Sequence, residues 1–572
     1  MSDQSQVDMV TMSIIDSTMT AVCREMGIVL MKTSYSTIFN EALDFTCVLA
    51  NRDGELIAQA EFCPSMIGGV PLLVRSCVQE IPVDELEPGD VIVHNDPYRG
   101  GLHSPEHTLI KPIFVDGDLM GFAMTIGHLV EIGGMVPGAF AGEATEIFHE
   151  GIRVPPVKIK KAGKDVEEVW KLLLANVRTP RYNYGDLRAL IAGVDVGERR
   201  LTDVIRKYGK AVFEKNVADL LDYSESRMRA ELEAIPDGKY SFEDHVEDDG
   251  IENRSYKIAV NVHIQGDEAV IDYTGTSPQA KGPVNATLGV SYSAAYNGIL
   301  HATDPSIPKN SGCFRPLRIV SPPGTLLNVD YPAPEVGGNT ETHCKIAGAV
   351  IGALTGVLPD RTMAAEGATH TNFVFGGQDS DSGEAFVCYA IELSGWGGRS
   401  FADGNSATDS INGNCRVIPV EVFETRFPMQ CESYKLVPDS GGAGKFRGGL
   451  STQRTLKSLK VDITGSQMSD RHHNAAWGIH GGGEGGLAGT WFKAASGSDW
   501  LTIDKAFGKV SQSKWSNVTI GPGDSIRFQT PGGGGWGDPK ERDRESLEED
   551  VREGFVSPKI ARDVYGVSVE AE

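Results

Sequence analysis

Apolar side chains recur at helical spacing through residues 8–33 (DMVTMSIIDSTMTAVCREMGIVLMKT), which predicts a long helix with one buried face. The period then changes to two. Residues 44–60 (DFTCVLANRDGELIAQA) are two alternating runs around Asp53-Gly54, a pair that tolerates the positive φ of a tight hairpin turn. Asp44 opens that hairpin. Residues 70–81 (VPLLVRSCVQEI) predict a second helix, EPGD a turn, and residues 91–96 (VIVHND) a buried strand. A second hairpin, TLIKPIFV-DGD-LMGFAMTIGH, turns on Asp116-Gly117 and returns the chain so that His128 lies beside the strand start near His107.

From about 165 to 235 helix formers dominate, as in VEEVWKLLLANV and DVGERRLTDVIRKYGKAVFEKNVADLLDYSESRMRAELEAI, predicting a helical hairpin or arm with a solvated charged face. Strand-like alternation returns over 238–275 and sets a boundary near 236. Beyond it, short helices (SYSAAYNGILHA, THCKIAGAVIGALTGVL) mix with strands and glycine-rich loops. The charged end, ERDRESLEEDVREGFVSPKIARDVYGV, predicts a terminal helical pair. The fold expected is α+β, multi-domain, with mixed sheets. Its parts are an α+β domain at 1–164, a helical arm at 165–236, a mixed glycine-rich region at 237–540 and a charged helical tail at 541–572.

Composition narrows the classes. A chain of 572 residues exceeds one core. A formal charge of −25 opposes binding to nucleic acid or an anionic membrane surface. No stretch reaches the roughly 18 to 20 apolar residues of a membrane span, and the polar start MSDQSQVDMV is unlike a secretory signal. Nine cysteines without a CxxC pair fit a reducing, cytoplasmic setting.

The candidate chemistry lies in residues 91–159, which hold five of the thirteen histidines (His94, His103, His107, His128, His149) among Asp96, Glu106, Glu131, Glu143 and Glu146. His103, Glu106 and His128 offer two nitrogen donors and one oxygen, a set that suits Zn²⁺, Mn²⁺ or Fe²⁺ with positions left open. Asp44 is the candidate fourth ligand, and His94 and Asp96 are candidates to orient the ligands. HSPEH also matches the H-x-x-E-H string of inverted zinc peptidases, but Pro105 and the strand-like text after it oppose the helix that mechanism needs. DSGGAGKFRGG carries Lys445 and Arg447 among glycines without phosphate-loop spacing, so turns needing positive φ explain it better. No GxSxG elbow is present, and the histidines of SDRHHNAAWGIHGG read as an aromatic-lined turn.

HNDPYRGGLHSPEH, GHLVEIGGMVPG and EGIRVPPVKI resemble the signature of the hydantoinase B and oxoprolinase family, and RPLRIVSPPGTLLN, PEVGGNTET, IPVEVFETRFPM, PDSGGAGKFRGG and TPGGGGWGDPKERD follow in family order. The resemblance implies a metal-bearing subunit that works with a separate actin-like, ATP-binding chain of hydantoinase A type, with ATP used to phosphorylate a carbonyl oxygen. It carries the ligands onto His103, Glu106 in place of the usual Asp, and His128. Some members hydrolyse cyclic amides; others carboxylate ketones. Where the hydrolases tend to read HIPVHLG, this chain has FCPSMIG (62–68), which loses both histidines.

That departure points to carboxylation of an apolar ketone with bicarbonate, in a dry pocket edged by Phe62, Met66 and Met135. His94, Asp96, Tyr98 and Arg99 form the candidate catalytic set, Tyr98 and Arg99 contacting a substrate oxygen or carboxylate. The metal expected is Zn²⁺ or Mn²⁺. The rival expectations are an ATP-dependent hydrolase of a hydantoin, oxoproline or lactam, and a scaffold without chemistry.

Overall fold

The structure is a computed structural model and describes residues 8–569. The polar residues 1–7 and the last three of the tail, 570–572, lie outside the described residues. Helix α1 (Met9–Thr33) starts where Asp8 accepts hydrogen bonds from the amides of Val10 and Thr11. A short helix α2 (Thr37–Asn40) leads into a seven-stranded sheet of order β2-β1-β5-β4-β3-β6-β7. Its strands are β1 (Phe45–Asn51), β2 (Leu56–Gln59), β3 (Val91–His94), β4 (Glu106–Val115), β5 (Asp118–His128), β6 (Val157–Lys161) and β7 (Lys164–Asp165), with helix α3 (Val70–Glu80) between β2 and β3. The β4–β5 turn has positive φ at both Asp116 and Gly117, which matches the right-handed strand twist.

β1, β4 and β5 are buried along nearly their whole length, on both faces. One face is covered by α1 and by α5 (Pro180–Tyr208), which follows α4 (Glu167–Ala175) and precedes α6 (Lys210–Glu233). Within the segment 165–236, α5 therefore lies across the sheet and α6 packs on α1 and α5, so the segment does not project as an arm. Apolar positions recur along α5 (Leu187, Leu190, Ile191, Val194, Leu201, Ile205) and all are buried.

A four-stranded sheet follows, order β11-β10-β9-β8, of β8 (Gly238–Val246), β9 (Tyr256–Gln265), β10 (Glu268–Asp272) and β11 (Leu317–Val320). Helices α7 (Leu288–Ala302) and α9 (Thr342–Leu354) pack together beside it, separated in sequence by α8 (Ser311–Phe314). One hydrophobic core runs continuously from Met12 to Met468, so residues on both sides of 236 share an interior.

A second core is enclosed by two further sheets. One is β13-β12-β16-β19, from β12 (Asn372–Gln378), β13 (Ala385–Ala390), β16 (Ile463–Met468) and β19 (Lys514–Ile520). The other is β14-β15-β20-β17-β18, from β14 (Met429–Leu436), β15 (Thr452–Ser458), β17 (Gly489–Lys493), β18 (Leu501–Thr502) and β20 (Ser525–Gln529). The terminal helices Arg544–Arg552 and Pro558–Asp563 form a small satellite core around Leu547 and Tyr565.

The glycine-rich loops have a different cause from the one expected. They stack backbone on backbone: the Gly533 amide donates to the Gly449 carbonyl at 3.0 Å and that of Gly535 to Gly483 at 2.8 Å. A Cβ on Gly533 would stand 1.9 Å from the Trp396 carbonyl oxygen, so close approach, not positive φ, requires glycine there. Arg447 pairs with Asp550 at 3.0 Å and Lys445 with Glu541 at 3.6 Å, so the cations of this loop are neutralised internally. No helix among the described residues is long and apolar enough to cross a membrane.

Candidate metal centre

The β4–β5 register sets Glu106 directly opposite His128. Directly opposed residues of an antiparallel pair point to the same face, so both side chains enter one space. His107 points the other way, among Leu129, Ile132 and Leu187. The turn before β4 places His103 Nε2 3.3 Å from Glu106 Oε1. The His103 and His128 ring centroids lie 5.3 Å apart. Asp44, at the start of β1, accepts the His128 amide on its carbonyl at 3.1 Å and lends its side chain to the same chamber. The chamber is small, with a volume of about 20 Å³. That is room for one water-sized species.

The electrostatics of this chamber call for a cation. His103 Nδ1 lies 2.8 Å from the Val336 carbonyl, where only an N–H can bond, and Nε2 lies 3.3 Å from the Glu106 carboxylate. Burial alone would lower the His103 pKa, but Glu106 outweighs it and pushes the imidazole up to about 9. Burial, with Glu106 adding, pushes Asp44 up to about 7. Burial lifts Glu335 to about 8. His128 is held well below its ordinary value by burial and by His103.

Both ring nitrogens of His128 and Glu106 Oε2 are buried without a hydrogen-bond partner. Such orphans are costly in an interior, and a divalent ion among them would take the lone pairs and offset the carboxylates. The residues present thus fit a metal. The donors differ in spacing, however. Among the described residues only Asp44, Cys63 and Cys415 offer three donor atoms all within 4.8 Å of one another. With bonds of ~2.1 Å, His128 must close on His103 and Glu106 to complete their set.

The surroundings fix the orientation of these side chains. The His128 ring lies against Tyr389 (4.6 Å between centroids) and parallel to Phe140 (5.4 Å). Asn339 Nδ2 donates to Glu106 Oε1 at 2.8 Å. The Glu150 carboxylate accepts the amides of Glu335 and Val336, and the Glu335 carboxylate accepts the amide and hydroxyl of Ser104. His370 pairs with Asp409 at 2.8 Å. Sequence reasoning assigned no role to Glu335, Val336, Asn339, His370, Tyr389 or Cys415. The available signal was PEVGGNTET, whose Glu-Val and Asn lie at the heart of this packing.

The candidate catalytic set does not reach the chamber. His94 uses both ring nitrogens on backbone groups: Nδ1 accepts the Asp96 amide at 3.2 Å and Nε2 donates to the Arg99 carbonyl at 3.2 Å. Asp96 caps the Tyr98 amide and pairs with Arg99 and Arg153. Tyr98 donates its hydroxyl to the Ala333 carbonyl, and Arg99 spends its guanidinium on Asp96 and Glu80. The physical reason is the short 3₁₀ turn Pro97–Arg99, which carries these side chains away before the chain reaches His103.

Phe62, Met66 and Met135 do not edge one common pocket among the described residues. Met135 is exposed, Phe62 lines a separate cavity, and the FCPSMIG segment turns Cys63 and Ser65 toward the chamber.

The family model described as hydantoinase B/oxoprolinase matches residues 8–539. A caprolactamase subunit beta from Pseudomonas jessenii is 33% identical over 99% of this chain and 97% of its own length. The crystal structure of the ATP-dependent caprolactamase from Pseudomonas jessenii superposes with a TM-score of 0.90, at 32% identity over 99% of this chain and 97% of that one. A nucleotide-free acetone carboxylase structure gives a TM-score of 0.89 over 98% of this chain and 80% of that one; at 19% identity it shows the fold alone.

Proposed function

The chain belongs to the hydantoinase B/oxoprolinase family, and from that premise we propose that it is the metal-bearing subunit of an ATP-dependent enzyme that opens a cyclic amide, a lactam or hydantoin. The observation that carries the reading is that Glu106, in the wall of the small polar chamber, and His128, directly opposite it on β5, keep buried, unpartnered donor atoms. His103, His128, Glu106 and Asp44 would hold a divalent cation, Zn²⁺ or Mn²⁺. When bound, such an ion polarises a carbonyl oxygen and acidifies water.

The chain's own residues supply the rest. The Val336 carbonyl holds His103 in one tautomer, Asn339 holds Glu106, and the Phe140 and Tyr389 rings hold His128. Thr340 Oγ1 faces the chamber without a partner and is placed to hydrogen-bond a polar atom of the reactant. The small volume excludes bulk water. ATP belongs to a separate actin-like subunit of hydantoinase A type. This division fits the relative's being a beta subunit and the neutralised cations of the glycine loops. Nine free cysteines fit a reducing, cytoplasmic location.

Ketone carboxylation was favoured by the loss of both family histidines from residues 62–68; the hydrolytic reading is supported instead by Cys63 and Ser65, which that segment places in the polar chamber wall. The test is reconstitution with an ATP-binding partner. With ATP, a lactam or hydantoin should open and release ADP. Fixation of labelled bicarbonate into a ketone, with no ring opened, would reverse the assignment.

A further inference from the structure

Asp44 stands between two kinds of donor. On one side are His103 and Glu106; on the other are the thiols of Cys63 and Cys415, whose sulfurs lie with an Asp44 oxygen inside a mutual span of 4.8 Å. The two cysteines come from distant stretches, one from the 62–68 turn and one from the loop after Asp409, and the fold brings both into the chamber wall. Cys63 Sγ also lies 3.1 Å from Ser65 Oγ. The other buried thiols include Cys23 and Cys47, which pack in the hydrophobic core away from this wall. Two soft sulfurs and one carboxylate, with a fourth direction open to the chamber, form a donor set for a thiophilic divalent ion.

We propose that Cys63, Cys415 and Asp44 constitute a second cation site, selective for soft divalent ions such as Zn²⁺ and Cd²⁺ and sharing only Asp44 with the histidine centre. The binding step is balanced without redox chemistry. The ion enters as M²⁺, two S–H protons leave to solvent, and two metal–thiolate bonds form. The site goes beyond the proposed function, which needs only the histidine centre.

The test uses the full chain, stripped with a chelator, kept reduced and titrated with Cd²⁺. Thiolate-to-cadmium absorption in the ultraviolet should rise to saturation, with about two ions bound per chain. The Cys63→Ser, Cys415→Ser double variant should lose the absorption and one ion while keeping the other. The His103→Ala, His128→Ala double variant should keep the absorption.

X-ray absorption of the wild-type cadmium complex needs no variant and must show sulfur neighbours. The site is overturned if wild type shows no thiolate absorption, or if the absorption survives in the cysteine double variant. It is overturned equally if the unreduced, denatured chain exposes two fewer thiols than the nine free ones, which would mean a Cys63–Cys415 disulfide. Absorption that persists while no ion binds at the histidines would sink the proposed function and leave this site standing.

Discussion

His94 ends β3 and His103 lies in the loop that follows it; both are buried, and each has a carboxylate close by in sequence. The fold uses them in opposite ways. Every polar atom around His94 is answered from within: its nitrogens meet backbone groups, and Asp96 meets Arg99, Arg153 and the Tyr98 amide. Around His103 bonds are left open: Glu106 Oε2 and both nitrogens of His128 have no partner. Residue type and spacing are alike in the two places. What separates a structural histidine from a ligand is whether its hydrogen bonds are already made.

The sharpest way to break this contrast is substitution at its two poles. His103→Ala or His128→Ala should remove bound metal and reduce turnover by on the order of a hundredfold or more. His94→Ala should keep the metal and cost stability, on the order of 1–3 kcal/mol, by leaving buried backbone groups unpaired. Metal analysis and thermal melts on the same three variants decide it; equal metal loss in all three would erase the distinction.

A second difference is in pH response. Asp44 is lifted from its usual value to about 7 in the folded chain. Below about pH 4 both folded and unfolded forms hold the proton; between about 4 and 7 only the folded form does. Stability of the metal-free chain should therefore fall as pH rises through that window, by about 4 kcal/mol at most from this group. Asp44→Asn should flatten the fall, and saturating divalent metal should offset it. Chemical denaturation across pH 4 to 8 reads this directly; an Asn variant with an unchanged slope would remove Asp44 from the account.

Smaller effects probe the supports. Glu150→Ala removes the acceptor of the Glu335 and Val336 amides, loosens the backbone that orients His103, and should weaken metal affinity about 10- to 100-fold with the ligands untouched. Isothermal titration measures it. Smallest of all, Arg99→Ala breaks partly exposed ion pairs and should cost less than about 1 kcal/mol, with no change in metal binding or turnover. A turnover loss there would return Arg99 to the reacting site.

Much of the N-terminal half was legible. Two Asp-Gly turns and period-two runs specified both hairpins, and register alone then brought Glu106 opposite His128. The other half of the chamber was not. Asn339, His370, Tyr389 and Cys415 arrive by packing between distant segments, which leaves no local period to read. Tyr98 and Arg99 misled because a single 3₁₀ turn, too short for a pattern to announce, turns them away. The helices of 165–236 looked solvated because α5 carries many charges, yet its apolar stripe lies on the sheet.

The central claim is a divalent ion held between His103, Glu106 and His128, with Asp44 at its side. Anomalous diffraction at the metal edge, on crystals of the purified full chain, tests it most directly. The account predicts a peak inside the chamber with His103 Nε2 and a His128 nitrogen each ~2.1 Å away. A metal-replete, active preparation whose peak lies elsewhere, with ordered water alone between the two histidines, would contradict it.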